Sequence, residues 1–456
     1  MSSASDDLLA RIDDAPLTAR YWTVFTLVVL QLVCELFDFF VVGYLVSTVA
    51  PLWKLTFGQT TIMLLSAGVG AIFGALGLGW VADRVGRKAV VVASGVICCL
   101  CAGSIAFVPE GAWAAFALLR FMVGFGYGGA GASQFALIVE YTPLRRRTLL
   151  VSWMAVPAGL GLLLASGVVA ALLSTLGWRG TAALGFAPIV FAVAIAFVAP
   201  ESARWLVANG KLERARRAAA SMLQLPLSAL SAMAAAPVPP APAPSPLQLL
   251  SDRRRFWLVV LIQLGLGCTL TGVQLWGPTI IAQLLTVTPQ QAAGYFVWIG
   301  LSGLAGRILF ALLPNRIGRL PCGKITGYVG AAALLLAAIF HDSRIEGASL
   351  FFVFLLLGQF FYDGAFSNVN SYAAELYPVR LAGLGMGLSA ASGGGGKIIG
   401  PLVLGLLAGT GNLVTPHATQ QAVLPGFLFL SACCLVVGLS YSFLGVETHR
   451  RPQALT

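Results

Sequence analysis

Twelve stretches of about twenty mostly apolar residues run through this chain, each long enough to cross a bilayer as one helix. They are 21–50, 61–81, 89–108, 112–138, 148–175, 181–199, 256–281, 291–313, 321–340, 349–372, 382–407 and 423–444. In lipid every backbone polar group must be bonded inside the protein, so such a chain can fold only as packed helices. The predicted class is therefore an all-α membrane protein with 12 transmembrane helices. Composition agrees: 10% of residues are charged, against roughly 25% in soluble domains. Too few polar side chains remain to cover a water-facing surface, which excludes a soluble enzyme, a nucleic-acid-binding module and a disordered chain. The first 20 residues carry Asp6, Asp7, Asp13 and Asp14 and no basic lead into a short apolar core, so no cleaved signal peptide is expected. The cysteines all lie in or beside apolar stretches, with no Cys-x-x-Cys and His set. They read as small packing side chains, not as a disulfide framework or a metal site.

The net charge of +11 is explained by topology. With both termini cytoplasmic, 22 of the 28 Lys and Arg fall in cytoplasmic segments, counting Lys324 at the cytoplasmic end of the ninth span, and only Lys54, Arg179 and Arg344 lie outside. That is a strong positive-inside bias, and it leaves no need for a nucleic-acid partner. The expected organisation is a cytoplasmic tail 1–20, a six-helix half 21–206, a linker 207–255, a second six-helix half 256–445 and a cytoplasmic tail 446–456. The linker starts with the basic stretch Lys211–Arg217. It then enters Ala236–Pro246, where six of eleven residues are proline, a composition that favours extended polyproline geometry.

The halves echo each other. Gly79-Trp-Val-Ala-Asp83-Arg84-Val-Gly86-Arg87-Lys88 follows the second span, and Asn315-Arg316-Ile-Gly318-Arg319 follows the eighth. Glu140-Tyr-Thr-Pro143-Leu-Arg145 follows the fourth span, and Glu375-Leu-Tyr-Pro378-Val-Arg380 the tenth. Pro200-Glu201-Ser-Ala-Arg204-Trp205-Leu206 follows the sixth, with a fainter echo in Glu447-Thr-His-Arg450. Three pairs in one order indicate duplication of a six-helix unit, the architecture of many secondary transporters. Physically these clusters read as a switchable cytoplasmic latch. Asp83 stands at a helix end, where it can meet a basic residue or a helix N-terminus, and Gly86 permits a tight turn. Gly79, Arg84, Arg87, Lys88, Glu140, Arg147, Glu201, Arg204, Arg307, Arg316, Glu375 and Arg380 complete the predicted gate.

These motifs resemble the major facilitator superfamily. The stretch Gly79–Lys88 matches its loop 2–3 signature at every specified position. Pro200–Leu206 and Glu140-x-x-Pro143-x-x-x-Arg147 are similar to motifs of its sugar-porter, organic-ion and metabolite–proton symporter branches. The resemblance covers about 21–450 and implies two pseudo-symmetric halves that rock about a midplane site. It also implies a bacterial inner membrane as the expected location. There are departures. Asn315 and Ala311 replace the acid and the first glycine in the second copy of the loop 2–3 motif, so its gate chemistry is expected to be weaker. The adjacent glutamines of sugar porters are absent from the seventh span, which has Gln263 and Gln274 instead. The fifth span lacks the full glycine–proline signature of drug–proton antiporters.

Charges inside spans cost at least about 2.5–3.5 kcal/mol each, so Glu35, Asp38, Arg120, Arg307, Asp363 and Lys397 need reasons. Glu35 and Asp38 share a face of the first helix. Two acids that close cannot both ionise cheaply in a low-dielectric cavity, so one is expected to hold a proton, as a proton-coupling site requires. Arg120 is the expected partner, released in another state. Gly124, Gly126, Gly128 and Gly129 follow it and admit a close helix or a ligand. Lys397 follows four glycines and could bind a carboxylate or pair with Asp363. Arg307 is expected to snorkel towards the cytoplasmic loop. Gln263, Gln274, Trp276, Tyr44 and Gln134 are the further substrate-contact candidates, with Trp153 and Trp298 behind them.

No nucleotide-binding loop, histidine relay, metal set or catalytic constellation is present in the sequence, so neither a cofactor nor enzymatic activity is expected. The leading expectation is a monomeric secondary transporter that imports a small organic solute, an organic or aromatic acid foremost, with protons. The alternatives are a drug or metabolite–proton antiporter, a sugar transporter of the sugar-porter branch, and a sensor that keeps the fold and signals through the 207–255 loop.

Overall fold

In the computed structural model, residues 8, 11–143, 145–146, 150, 154, 157–230, 246–377 and 379–448 are described. The architecture is helical almost throughout. The membrane helices are α1 (Ala19–Leu52), α2 (Phe57–Val85), α3 (Arg87–Ser104), α4 (Trp113–Tyr141), α5 (Pro157–Ala183) and α6 (Ile189–Val198). They continue with α7 (Arg253–Leu284), α8 (Pro289–Leu312), α9 (Arg319–Ile339), α10 (Leu350–Glu375), α11 (Val379–Leu407) and α12 (Pro416–Phe443). A two-residue hairpin, β1 (Arg344–Ile345) with β2 (Ala348–Ser349), joins α9 to α10.

By length and hydropathy alone, 11 stretches of the described residues can cross a membrane, and one of them, Pro157–Val198, has 42 residues. A straight helix that long would span about 63 Å, twice the hydrocarbon core. The chain breaks it at Gly177, whose φ of 62° no other residue adopts cheaply, and Leu184–Phe186 forms a 3-10 turn before α6. The stretch therefore holds two crossings, and the twelve expected from sequence are present.

Helix starts follow local chemistry. Thr56 and Gln59 bond reciprocally at the start of α2: the Gln59 amide donates to the Thr56 hydroxyl at 3.2 Å and the Thr56 amide to the Gln59 side-chain oxygen at 3.0 Å. Thr288 and Gln291 form the same capping box before α8. Asp252 caps α7. Between the halves, Ser202 caps the short helix Ala203–Ala208, and Leu212–Leu223 follows it with Ala215, Ala218, Ala219 and Met222 buried.

By contact the chain falls into two compact units. The first comprises Met1–Phe39, Ser66–Leu164 and Arg179–Ala241; the second comprises Phe40–Leu65, Ala165–Trp178 and Pro242–Thr456. The second unit thus gathers the end of α1, the start of α2 and part of α5 with the six C-terminal helices. Within the first unit, Gly124 and Gly128 of α4 press on the Ala67 and Ala71 carbonyls of α2, and Gly70 and Gly74 of α2 press on the Phe121 and Phe125 carbonyls in return. Any side chain at these positions would enter the opposite backbone, so these are the small-residue seams expected in lipid. Gly126 faces α3 instead, against Ser94 and Cys98. The α4 glycines therefore serve helix contact, not ligand approach. In the second unit Gly267 and Gly396 seat α7 on α11, and Gly327 and Gly438 seat α9 on α12.

Candidate functional site

The α2–α4 seam fixes α4 so that Arg120 points into the first unit beside α1. Arg120 is 1% exposed, Asp38 2% and Glu35 3%. The expected side-chain pair between Arg120 and the acids takes another form. Arg120 donates to the backbone carbonyl of Asp38 at 2.7 Å and, at the longer distance of 3.5 Å, to that of Phe39. Its Nε has no partner among the described residues. The guanidinium neighbours the Asp38 carboxylate, which accepts no hydrogen bond from a described residue. Glu35 is held differently. Gln31 donates to its Oε1 at 2.9 Å, and Gln134 donates to both oxygens at 3.0 and 3.1 Å. Gln134, expected as a substrate contact, is thus engaged with an acid. Gln31 was not foreseen, although its position four residues before Glu35 puts it on the same helix face.

The second unit carries the other embedded charges. Asp363, 2% exposed, pairs with Arg307 at 2.7 Å. This corrects one expectation. Arg307 does not snorkel towards the loop, because a carboxylate on the neighbouring helix α10 offers a charge-assisted bond inside the protein. Lys397 is half-buried on α11, and its carbonyl accepts from Thr271 at 3.3 Å. Gln274 donates to Gln359 at 3.1 Å, and Tyr362 donates to the same Gln359 oxygen. Gln263 donates to Ser389. Trp276 donates its indole N–H to the Pro401 carbonyl at 3.0 Å, and its ring lies 5.5 Å from Phe57. Tyr44 packs edge-on against Phe296. Trp298 is 63% exposed on α8.

The gate motifs assemble twice, once in each unit. In the first, Gly86 (φ 119°) precedes α3, and the Glu201 carboxylate lies where a side chain would be. Glu201 accepts from the Lys88 amide at 3.0 Å and the Ser202 amide at 2.9 Å, and so caps the start of α3. Ser202 donates its hydroxyl to Glu140, and Arg87 approaches Glu140 at 3.7 Å. In the second unit, Gly318 (φ 98°) precedes α9 and Glu447 accepts from the Arg319 and Leu320 amides at 3.0 and 3.1 Å. Thr448 donates to Glu375 at 2.6 Å, and Arg319 reaches Glu375 at 2.7 and 3.2 Å. Glu447 and Thr448 therefore repeat the contacts of Glu201 and Ser202 closely, while Arg450, the counterpart of Arg204, lies outside the described residues.

Asp83, largely exposed, takes the first of its two expected kinds of partner, a basic residue, pairing with Arg87 at 2.8 Å, and the neighbouring helix start is capped by Glu201 instead. One expectation changes: the carboxylate–arginine contact is shorter in the second copy, Arg319 to Glu375 at 2.7 Å against Arg87 to Glu140 at 3.7 Å. Arg87 divides its donors among Asp83, the Ala82 carbonyl and Glu140, whereas Asn315 offers no acid and Arg319 is left to Glu375. Of the remaining residues expected in the gate, exposed Arg84 stacks on Trp80 with its guanidinium carbon 3.6 Å from the ring centroid. Arg316 is exposed, and a side chain at Gly79 would meet nothing within 4 Å. Arg204 pairs with Asp13 of the N-terminal segment at 2.6 Å, a partner the sequence motif gave no sign of. Arg147, Trp153 and the side chain of Arg380 lie outside the described residues. Among the described residues no cluster of His, Cys, Asp and Glu could hold a metal ion.

The sequence model of the Major Facilitator Superfamily matches residues 28–401. The niacin transporter NiaP of Acinetobacter baylyi is 26% identical over 97% of this chain and 98% of its own length. The 4-hydroxybenzoate transporter PcaK of Pseudomonas aeruginosa is 28% identical over 89% of this chain and 90% of its own. The inward-open xylose transporter XylE from E. coli superposes with a TM-score of 0.72 at 15% identity, covering 95% of this chain and 98% of that one. At that identity the likeness concerns the fold alone.

Proposed function

The chain belongs to the Major Facilitator Superfamily, and from that premise we propose that it carries a small organic acid, aromatic monocarboxylates foremost, into the cell together with a proton. It is an integral membrane transporter and not an enzyme. The observation that carries the finer reading is the buried set in the first unit. Two acids and one base, none more than 3% exposed, leave one negative charge unbalanced inside the membrane. Binding one proton removes that cost, and Arg120, with an unpartnered Nε, is a cation for an anionic substrate. The relatives named for niacin and 4-hydroxybenzoate transport support an aromatic carboxylate as the substrate class. A sugar is less well supported, since Gln263 and Gln274 are engaged with Ser389 and Gln359.

In this reading the two six-helix halves rock about a midplane site with both termini cytoplasmic. The duplicated Gly86–Glu201 and Gly318–Glu447 clusters brace the cytoplasmic ends of each half. The test uses purified protein in liposomes holding a pH-sensitive dye, given monocarboxylates, aromatic acids, sugars and organic cations in turn. Internal acidification with aromatic acids, lost in Asp38→Asn, is the expected result. Uptake without acidification would make the protein a facilitator. Acidification with sugars alone would move it to the sugar-porter branch.

A further inference from the structure

The connection between α1 and α2 pairs with the connection between α11 and α12 through backbone groups. The Val414 amide donates to the Leu55 carbonyl at 3.1 Å, the Phe57 amide to Asn412 at 2.9 Å and the Gly58 amide to Thr410 at 3.0 Å. Thr56 and Leu413 face each other as an antiparallel bridge. Both edges are shaped before they meet. On one side Thr56 and Gln59 cap each other. On the other, Gly409 (φ 82°) turns the chain, and Asn412 returns its backbone and side-chain N–H groups to Gly409 and Ala408 at 2.9 and 3.0 Å. A methyl at Gly58 would stand 2.9 Å from the Thr410 carbonyl, so the pairing depends on a bare backbone there. Beneath it Leu55 and Phe57 are 3% and 2% exposed, and Phe57 lies on Trp276. The same side carries Gln290 donating to the Ala170 carbonyl at 2.8 Å and Trp53 packed edge-on to Trp178.

We propose that residues 55–58 and 410–414 form a backbone clasp on the outer face, with Phe57 as its plug, which parts to admit substrate and re-forms before inward release. The proposal rests on the alternating-access reading above and on both termini being cytoplasmic. The physical logic is that of an edge pairing. Thr410 and Asn412 are exposed, and backbone bonds at such a rim can be replaced by bonds to water at small net cost, so the clasp is closed at rest yet cheap to open. The apolar plug supplies the seal, and the backbone bonds supply its register.

The test is a reversible staple. Thr56 and Leu413 form the type of pair without mutual hydrogen bonds, with Cα atoms about 4.5 Å apart, inside the range a disulfide spans. The Thr56→Cys/Leu413→Cys double variant is oxidised in proteoliposomes, then cut by an inserted protease site within the proline-rich stretch 236–246. Retention of both halves as one species without reductant reports the bond, whatever the substrate. The expected result is efficient cross-linking, uptake falling at least tenfold on oxidation, and recovery with dithiothreitol, the single variants staying within about twofold of the parent. In parallel, Gly58→Val is expected to raise labelling of a Thr419→Cys reporter by a membrane-impermeant maleimide several-fold; Thr419 is 1% exposed and lies in the small apolar cavity below Phe57. Failure to cross-link, or full uptake by the cross-linked protein, would overturn the clasp. Absence of uptake in the parent protein with every organic acid would instead sink the transport reading, while cross-linking and labelling would still decide whether the clasp exists.

Discussion

A pH gradient of one unit should concentrate a monocarboxylate about tenfold inside proteoliposomes, and a membrane potential should add nothing. The figure follows from the charges of the first unit. Glu35, Asp38 and Arg120, all ionised, sum to one negative charge, so the cluster takes one proton to neutralise. One proton with one monoanion leaves the loaded protein with the same charge as the empty one, and the cycle is electroneutral. One pH unit is worth about 1.36 kcal/mol per proton, hence the factor of about ten. A second coupled proton would give about a hundredfold from the gradient. It would also make the cycle carry charge, so that each 100 mV, at about 2.3 kcal/mol per charge, would add about fiftyfold. The assay dilutes vesicles into buffer one pH unit more acidic, with and without a potassium–valinomycin potential, and follows radiolabelled 4-hydroxybenzoate or nicotinate to plateau. Asp38→Asn balances Glu35 against Arg120 without a proton, so its plateau should fall to equality inside and out while initial uptake persists. A plateau that follows voltage in the parent protein, or a gradient-driven plateau that survives in Asp38→Asn, would refute the charge count.

Three further outcomes test the packing beneath this chemistry. Removing either partner of the Arg307–Asp363 pair strands a buried charge and should cost about 3–5 kcal/mol, whereas Arg307→Met with Asp363→Leu should recover most of the loss; simple additivity in detergent unfolding would show that the two do not interact. Gly318→Ala should destabilise more than Gly111→Ala, because both backbones have positive φ but only Gly318 faces a carboxylate, that of Glu447; equal losses by thermal melting would mean that the Glu447 cap contributes nothing. Gly124→Leu should abolish accumulation of folded protein and Gly131→Leu should not, since the first meets the α2 backbone and the second meets nothing within 4 Å; similar yields in size-exclusion chromatography would argue against the α2–α4 seam.

The helices were legible because the hydropathy signal of a membrane span is long, and lipid permits no competing structure. The continuous stretch Pro157–Val198 breaks at Gly177, between the spans 148–175 and 181–199 read from the sequence. The duplication was legible from spacing. Its atomic meaning was not, because capping depends on where a remote carboxylate arrives. Glu201 is 115 positions from Gly86 and Glu447 is 129 from Gly318, and no local pattern says that each ends on the amides next to its glycine. The embedded charges were found one by one from their cost, yet their pairing was misread for Arg307 because a helix neighbour cannot be inferred from one chain. The contacts between residues 55–58 and 410–414 gave no sequence signal at all, since they use backbone groups that every residue shares.

What the duplication preserved and what it let diverge divides the molecule by role. The glycine, the capping glutamate and the hydroxyl that follows it recur as Gly86, Glu201 and Ser202 and as Gly318, Glu447 and Thr448, with nearly the same bonds. A carboxylate over a bare helix start is useful in either half, because both copies of the turn must resist fraying at the membrane edge. The buried charges show no such symmetry. The first unit holds two acids and one arginine, while Arg307 and Asp363 in the second close on each other. A balanced pair has no net charge for a proton to relieve, whereas an unbalanced set does. In the proposed cycle, proton coupling is therefore assigned to the α1–α4 cluster. In the second unit the Arg307–Asp363 pair fixes α8 against α10, so exchanging it for matched apolar residues should leave the tenfold accumulation per pH unit intact even where stability changes.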